Sequence, residues 1–143
     1  MSIWFGTPTL EDIAPLNNGT VGEVLGIEFS QIGEDFLEAT MTVDQRVLQP
    51  AGILHGGVSV VLAEYVCSIG ASLTVDRSQH YVVGQEINAN HIRPGLQGDI
   101  VTARATPVSR GRRSQVWDIR LHNQHDKLVC ISRCTMAVLD HAE

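Results

Sequence analysis

Between Gly57 and Val75 the chain places apolar or small residues on every side of a helical projection, broken by one charge, Glu64, and by Ser59, Ser68, Ser72 and Thr74. A helix with apolar residues all round is buried nearly all round. After His80 the pattern changes. The runs Tyr81–Ile92, Asp99–Val108, Ser114–His122 and Leu128–Leu139 are rich in Val, Ile and Thr and partly alternate, which predicts four strands. In the third, Trp117, Ile119 and Leu121 take one face while Asp118, Arg120 and His122 take the other. Turns carrying Pro94-Gly95, Gly111 and Asn123-Gln124 separate them. Upstream, two extended runs, Val24–Ile32 and Phe36–Val43, flank Gly33-Glu34-Asp35 and predict a hairpin. Thr9–Leu16 begins as a capped helix, stopped early by Pro15 and Asn17-Asn18-Gly19. The order is short helix, hairpin, long helix, four strands. That is an antiparallel α+β domain in which a curved sheet grips a central helix.

Length and composition narrow the picture. The 143 residues suffice for one domain, and 43% hydrophobic with 18% charged residues is a globular balance. A net charge of -6 leaves no positive excess to displace counterions from nucleic acid. Cys130 and Cys134 on one strand would lie roughly 13 Å apart, beyond the about 7 Å that a disulfide spans. Reduced thiols and the lack of a leader-like N-terminus predict a cytoplasmic protein. The apolar run has the length of a membrane span, yet a carboxylate at its middle is costly in lipid, so no membrane association is expected.

Glu64 draws attention as the one charge in the apolar helix. It is either a structural carboxylate or an acid–base group, since burial raises a carboxyl pKa towards the range useful for proton transfer. Ser68, four residues on, shares its helix face and either bonds Glu64 or holds a water beside it. His55-Gly56-Gly57 opens the helix. Free N–H groups in a first turn and the positive end of the dipole suit a developing oxyanion. Gln49, just upstream, is placed to orient water or a carbonyl oxygen. Gly56 and Glu64 are eight residues apart, about 12 Å along a helix, too far to serve one carbonyl from one chain. An antiparallel homodimer would bring Gly56 of one subunit to Glu64 of the other.

Ser109-Arg110-Gly111-Arg112-Arg113-Ser114 gathers three of the ten basic side chains in one turn, and His91-Ile92-Arg93-Pro94 ends an earlier strand. Each is either a phosphate seat or a solvated turn guarding a sheet edge. No histidine pair shows metal-ligand spacing, so no metal is expected.

The segment Gln49-Pro50-Ala51-Gly52-Ile53-Leu54-His55-Gly56-Gly57, followed by Leu62-Ala63-Glu64 and Ser68, resembles the signature of hotdog-fold acyl-CoA thioesterases. It is similar to the phenylacetate-pathway-type branch, which includes bacterial 1,4-dihydroxy-2-naphthoyl-CoA thioesterases and the proofreading thioesterase of enterobactin synthesis. The likeness continues through Val82-Val83-Gly84, Glu86–His91, Gln115-Val116-Trp117 and Ser132-Arg133. It implies a sheet of five to six strands around the helix, paired into dimers and tetramers. It implies Glu64 as nucleophile or general base and the Gly56 N–H on the carbonyl, with Gln49, His55 and Ser68 assisting. Gly84, His91–Pro94 and the Ser109–Ser114 turn match positions that hold coenzyme A. No cofactor is implied beyond the coenzyme A of the substrate. An aryl- or medium-chain acyl-CoA is the expected substrate, 1,4-dihydroxy-2-naphthoyl-CoA and a role in menaquinone biosynthesis among the candidates. An acyl or aryl carrier protein is the alternative thiol carrier. An acyl-thioester dehydratase or hydratase and a non-catalytic acyl-CoA-binding protein are the competing readings. Tyr65 departs from relatives, which often carry a smaller residue there.

Overall fold

A computed structural model of the chain describes residues 1–142. Its elements are α1 (Leu10–Ile13), α2 (Val21–Leu25), β1 (Glu28–Ile32), β2 (Leu37–Thr42), α3 (Gly56–Leu73), β3 (His80–His91), β4 (Ile100–Arg110), β5 (Ser114–His122) and β6 (Leu128–Asp140), with short 3-10 turns at Ala14–Asn17 and Gln45–Val47. The strands form one six-stranded sheet in the order β1-β2-β4-β5-β6-β3. Every neighbouring pair is antiparallel. This is the hotdog arrangement: α3 lies along the concave face and touches β2 through β6.

The inward face is set by period-2 patterning. Leu37, Ala39 and Met41 of β2, Val101, Ala103 and Ala105 of β4, and Trp117, Ile119 and Leu121 of β5 are all buried. Irregular registers at Phe29/Gln31, Gly84/Glu86 and Pro107/Ser109 interrupt the ladders, and bulges of this kind bend and twist a sheet. Gly70 lets α3 approach the sheet: a methyl group there would stand 3.3 Å from the Trp117 ring. The Trp117 indole N–H donates to Gln115 Oε1 at 2.9 Å, and Gln115 Nε2 donates to Thr74 Oγ1 at 2.9 Å, which ties β5 to the C-terminal end of α3.

Two expectations are corrected. The run from Val24 does not begin as a strand. Thr20 caps α2 through the Gly22 N–H, Gly26 closes it at φ 68, and Glu28 opens β1. The left-handed glycine C-cap is a helix stop that β-branched composition hides. Nor is α3 buried all round. Leu62, Ala63, Val66, Cys67, Gly70 and Ala71 are sealed against the sheet, while Val60, Val61, Glu64, Tyr65, Ser68 and Ser72 are half-buried on the other side. The predicted Thr9 cap stands, as a full capping box with Asp12.

Candidate active site

Capping decides what the α3 N-terminus offers. His55 is the N-cap, and its Nδ1 accepts the Gly57 N–H at 2.9 Å. With the Nδ1 lone pair engaged, the neutral ring carries its proton on Nε2. The carbonyl of His55 accepts both the Val58 and Ser59 N–H groups, at 2.9 and 3.2 Å. Of the first turn, this leaves the Gly56 N–H without an acceptor among the described residues, the donor that the sequence singled out.

A cleft of about 400 Å³ opens at this helix end, lined by Gln49, Ile53, Leu54, Gly56, Ser59, His91, Ile92, Arg93, Pro94, Gly95 and Val129. Two sets of residues that are distant in sequence therefore share one cavity: Gln49 with Gly56, and the His91–Pro94 stretch. The His91 imidazole lies over Gly56, so that a methyl group on Gly56 would come 2.7 Å from His91 Nε2. Gln49 Oε1 accepts the Ala51 N–H, which turns the amide NH₂ into the free end of that side chain. Ser59, which sequence reasoning did not single out, is 2% exposed and lines the same cleft. The usable signal was its spacing: three residues after Gly56 is the same helix face.

Glu64 lies elsewhere. It is half-buried and makes no hydrogen bond or ion pair among the described residues, and its carboxylate rests against Gly84 of β3, where any side chain would overlap Oε1. Gly84, which the resemblance assigns to coenzyme A, also makes room for Glu64. Ser68 is half-buried on the same side of α3, but no hydrogen bond joins it to Glu64. The Ser109–Ser114 turn is exposed and sits at the opposite end of α3, where Arg110, Gly111 and Arg112 line a second cleft with Thr74 and His80. Arg110 donates to the Ile3 carbonyl at 3.2 Å. With 18 residues in α3, its ends are about 27 Å apart, so one chain does not unite the arginine turn with the His91–Pro94 cleft.

Comparison with known proteins decides the family. A model described as the thioesterase superfamily matches residues 51–130, which includes Gly56 and Glu64. The chain belongs to the thioesterase superfamily. It is 45% identical over 137 residues to the 1,4-dihydroxy-2-naphthoyl-CoA hydrolase of Escherichia coli K12, covering 96% of this chain and 99% of that one. It is 44% identical over 137 residues to the proofreading thioesterase EntH of Cronobacter turicensis, covering 96% and 98%. The crystal structure of the thioesterase HI1161 from Haemophilus influenzae superposes with a TM-score of 0.93 at 48% identity, covering 99% of this chain and 97% of that one. The chain is thus a thioester hydrolase by family.

Two further features of this thioesterase bear on its site. A larger cleft, about 550 Å³, lies on the outer sheet face among Glu38, Arg104, Asp118 and Arg120. Both of its arginines are already paired, Arg104 with Glu38 at 2.7 Å and Arg120 with Asp118 at 3.1 Å, and no residue of α3 lines it. Tyr65 turns away from Glu64: its hydroxyl donates to Asn17 Oδ1 at 2.6 Å and lies 3.0 Å from Thr20 Oγ1, while its ring stacks on Phe29. It fastens the N-terminal segment to α3. Among the described residues no cluster of three or more His, Cys, Asp or Glu side chains is arranged to hold a metal.

Proposed function

We propose that this thioesterase hydrolyses aryl- or medium-chain acyl-CoA at a site shared between two copies of the chain. The observation that carries the reading is the division of labour along α3: an unpartnered Gly56 N–H at one end, and an unpartnered Glu64 carboxylate two turns away against Gly84. One thioester needs both within a few ångströms. A two-fold antiparallel pair supplies both, twice. The same pairing brings the arginine turn at the C-terminal end of one helix towards the His91–Pro94 cleft at the N-terminal end of the other.

A further observation supports the pairing. Strand β3 is an edge of the sheet, 12 residues long and nowhere fully buried, with Tyr81 43% and Val83 42% exposed. A long, partly apolar free edge is a template for another strand. Antiparallel pairing of β3 with its copy about a point midway between Gly84, beside Glu64, and His91, beside Gly56, would cover it and bring Glu64 of each chain towards Gly56 of the other. A homodimer is the minimal functional unit, and a tetramer formed from two such dimers keeps the same site.

In the reaction the Gly56 N–H and the α3 dipole hold the thioester oxygen as charge develops on it. Glu64 of the partner subunit either attacks the carbonyl carbon, forming a mixed anhydride that water then hydrolyses to the free acid and regenerated Glu64, or takes a proton from the attacking water. The carbonyl electron pair moves to oxygen and returns as the C–S bond breaks, releasing the thiolate, which is protonated to the thiol. Gln49 Nε2 and His55 Nε2–H orient the carbonyl or the water, and Ser68 assists Glu64. The Ser109–Ser114 turn, with Arg110, Arg112 and Arg113, and the His91-Ile92-Arg93-Pro94 stretch seat the coenzyme A phosphates. Water and a carboxylate suffice, and no cofactor takes part. The likeness to the E. coli 1,4-dihydroxy-2-naphthoyl-CoA hydrolase supports trying that thioester first, and an acyl or aryl carrier protein is the alternative thiol carrier to try.

The test is thiol release over a panel of acyl-CoAs, with Glu64→Ala alongside. The expected result is stoichiometric free coenzyme A from the wild type and a loss of at least about 1,000-fold in the variant, the scale of losing a nucleophile or base. Full hydrolysis by Glu64→Ala would overturn the assignment. An altered acyl chain without free thiol would indicate a dehydratase, and binding without turnover a sensor.

A further inference from the structure

Oxyanion sites work by converging donors, and α3 offers one N–H where two donors are usual. His55 Nδ1 consumes the Gly57 N–H, and the His55 carbonyl consumes those of Val58 and Ser59. The next polar hydrogen on the Gly56 face of the helix is the hydroxyl of Ser59. Its state is unusual. Ser59 is 2% exposed, yet its Oγ makes no hydrogen bond among the described residues. A helical serine ordinarily turns back to the carbonyl three or four residues before it, as Ser72 does to Ile69 at 2.7 Å. For Ser59 the carbonyl four residues back belongs to His55, whose two lone pairs are already taken by N–H groups at 2.9 and 3.2 Å, and the hydroxyl makes no bond to the Gly56 carbonyl three residues back either.

The hydroxyl is not sealed away either. Every fully enclosed side-chain oxygen among the described residues has a partner, so the unbonded Ser59 Oγ reaches the cleft that Ser59 lines with Gly56, Gln49 and His91. Helical side chains lean towards the N-terminus over the preceding turn. Residues three apart are about 5–6 Å apart at Cβ. The Ser59 hydroxyl therefore stands over Gly56 at a separation that one oxygen atom can bridge with two hydrogen bonds.

We propose that Ser59 is a catalytic residue, a second oxyanion donor whose hydroxyl joins the Gly56 N–H on the thioester oxygen. The inference rests on the thioesterase reading above and adds a residue to it. When the carbonyl carbon is attacked, its π pair moves onto oxygen. The Ser59 proton stays on Oγ and strengthens its hydrogen bond to that oxygen. The charge leaves again when the C–S bond breaks. The benefit falls on the transition state more than on the bound ground state, so kcat is affected and KM is not.

Because the hydroxyl makes no bond within the fold, its loss leaves stability unchanged, and this separates a catalytic from a structural role. The experiment compares wild type, Ser59→Ala and Ser59→Cys in thiol release from benzoyl-CoA and octanoyl-CoA, with a thermal melt of each. Cysteine keeps the shape and is a weak donor. The expected result is kcat lowered about 100-fold in both variants, the typical effect of one oxyanion donor, with KM within threefold and Tm not reduced. Either variant, folded and with kcat within threefold of wild type, overturns the role of Ser59 while leaving the thioesterase reading intact. If the wild type releases thiol from neither compound, both the reading and the inference fall.

Discussion

Replacing Gly84 with alanine puts a methyl group where the Glu64 carboxylate now rests, since any Cβ at this position overlaps Glu64 Oε1. The backbone at Gly84 has no positive φ and the residue is exposed on β3, so alanine meets no conformational barrier. By restricting the unfolded chain it stabilises by about 0.4–1 kcal/mol. The yielding partner is Glu64, the end of a flexible side chain with no hydrogen bond to hold it. Restoring ordinary contact moves the carboxylate by about 1 Å, and a displacement of that size costs about 100-fold in rate, or about 2.7 kcal/mol of transition-state stabilisation. Steady-state thiol release and a thermal melt of the same preparation check this. The expected result is kcat near 1% of wild type with Tm unchanged or slightly raised. A Gly84→Ala enzyme with kcat within threefold of wild type would refute the reasoning, because the observed seat of Glu64 would then be irrelevant to turnover.

Two further outcomes concern the scaffold. Gln115→Leu removes the acceptor of the buried Trp117 indole and the donor to Thr74. Stranding a buried N–H costs about 2 kcal/mol, which at ~2.1 cal/mol/K per residue over 143 residues lowers Tm by about 7 °C; a calorimetric shift under 2 °C contradicts it. The three cysteines are fully buried and unbridged. A hydrogen bond with Cys134 and burial hold the Cys67 thiol protonated, far above its usual range. Native protein should therefore show no thiol reactive with a disulfide reagent within minutes and three after unfolding, and fast native labelling would contradict the buried placement.

The long helix and the four later strands were legible because each signal was local and periodic: an apolar stretch around Glu64, then alternation such as Trp117, Ile119 and Leu121. The candidate pair Gly56 and Glu64 was legible for a related reason. Both stand out against uniform surroundings, and helical rise alone separates them. Short helix α2 escaped because Val21 and Val24 carry strand propensity, and the decisive signals were a Thr20 cap and a left-handed Gly26. The one-sided burial of α3 also escaped, since composition does not say which apolar face a sheet covers. The meeting of Gly84 with Glu64 and of His91 with Gly56 depends on the register of β3 against the helix, which no periodicity encodes. Ser59 was hidden by ordinariness. Its spacing of three residues from Gly56 places it on that helix face, but only the count of bonds around His55 sets it apart from any other helical serine.

The central claim is that one thioester is served by Gly56 of one chain and Glu64 of another. Its most direct measurement mixes two inactive proteins, Glu64→Gln and a Gln49→Ala, His55→Ala double variant, by co-expression or by refolding together at equal amounts. Random pairing makes half the dimers mixed, and each mixed dimer has one of its two sites intact. The expected activity is about one quarter of wild type, from partners that are each inactive alone. Activity no greater than the sum of the separate variants, with mixed dimers shown to be present, would contradict the shared site.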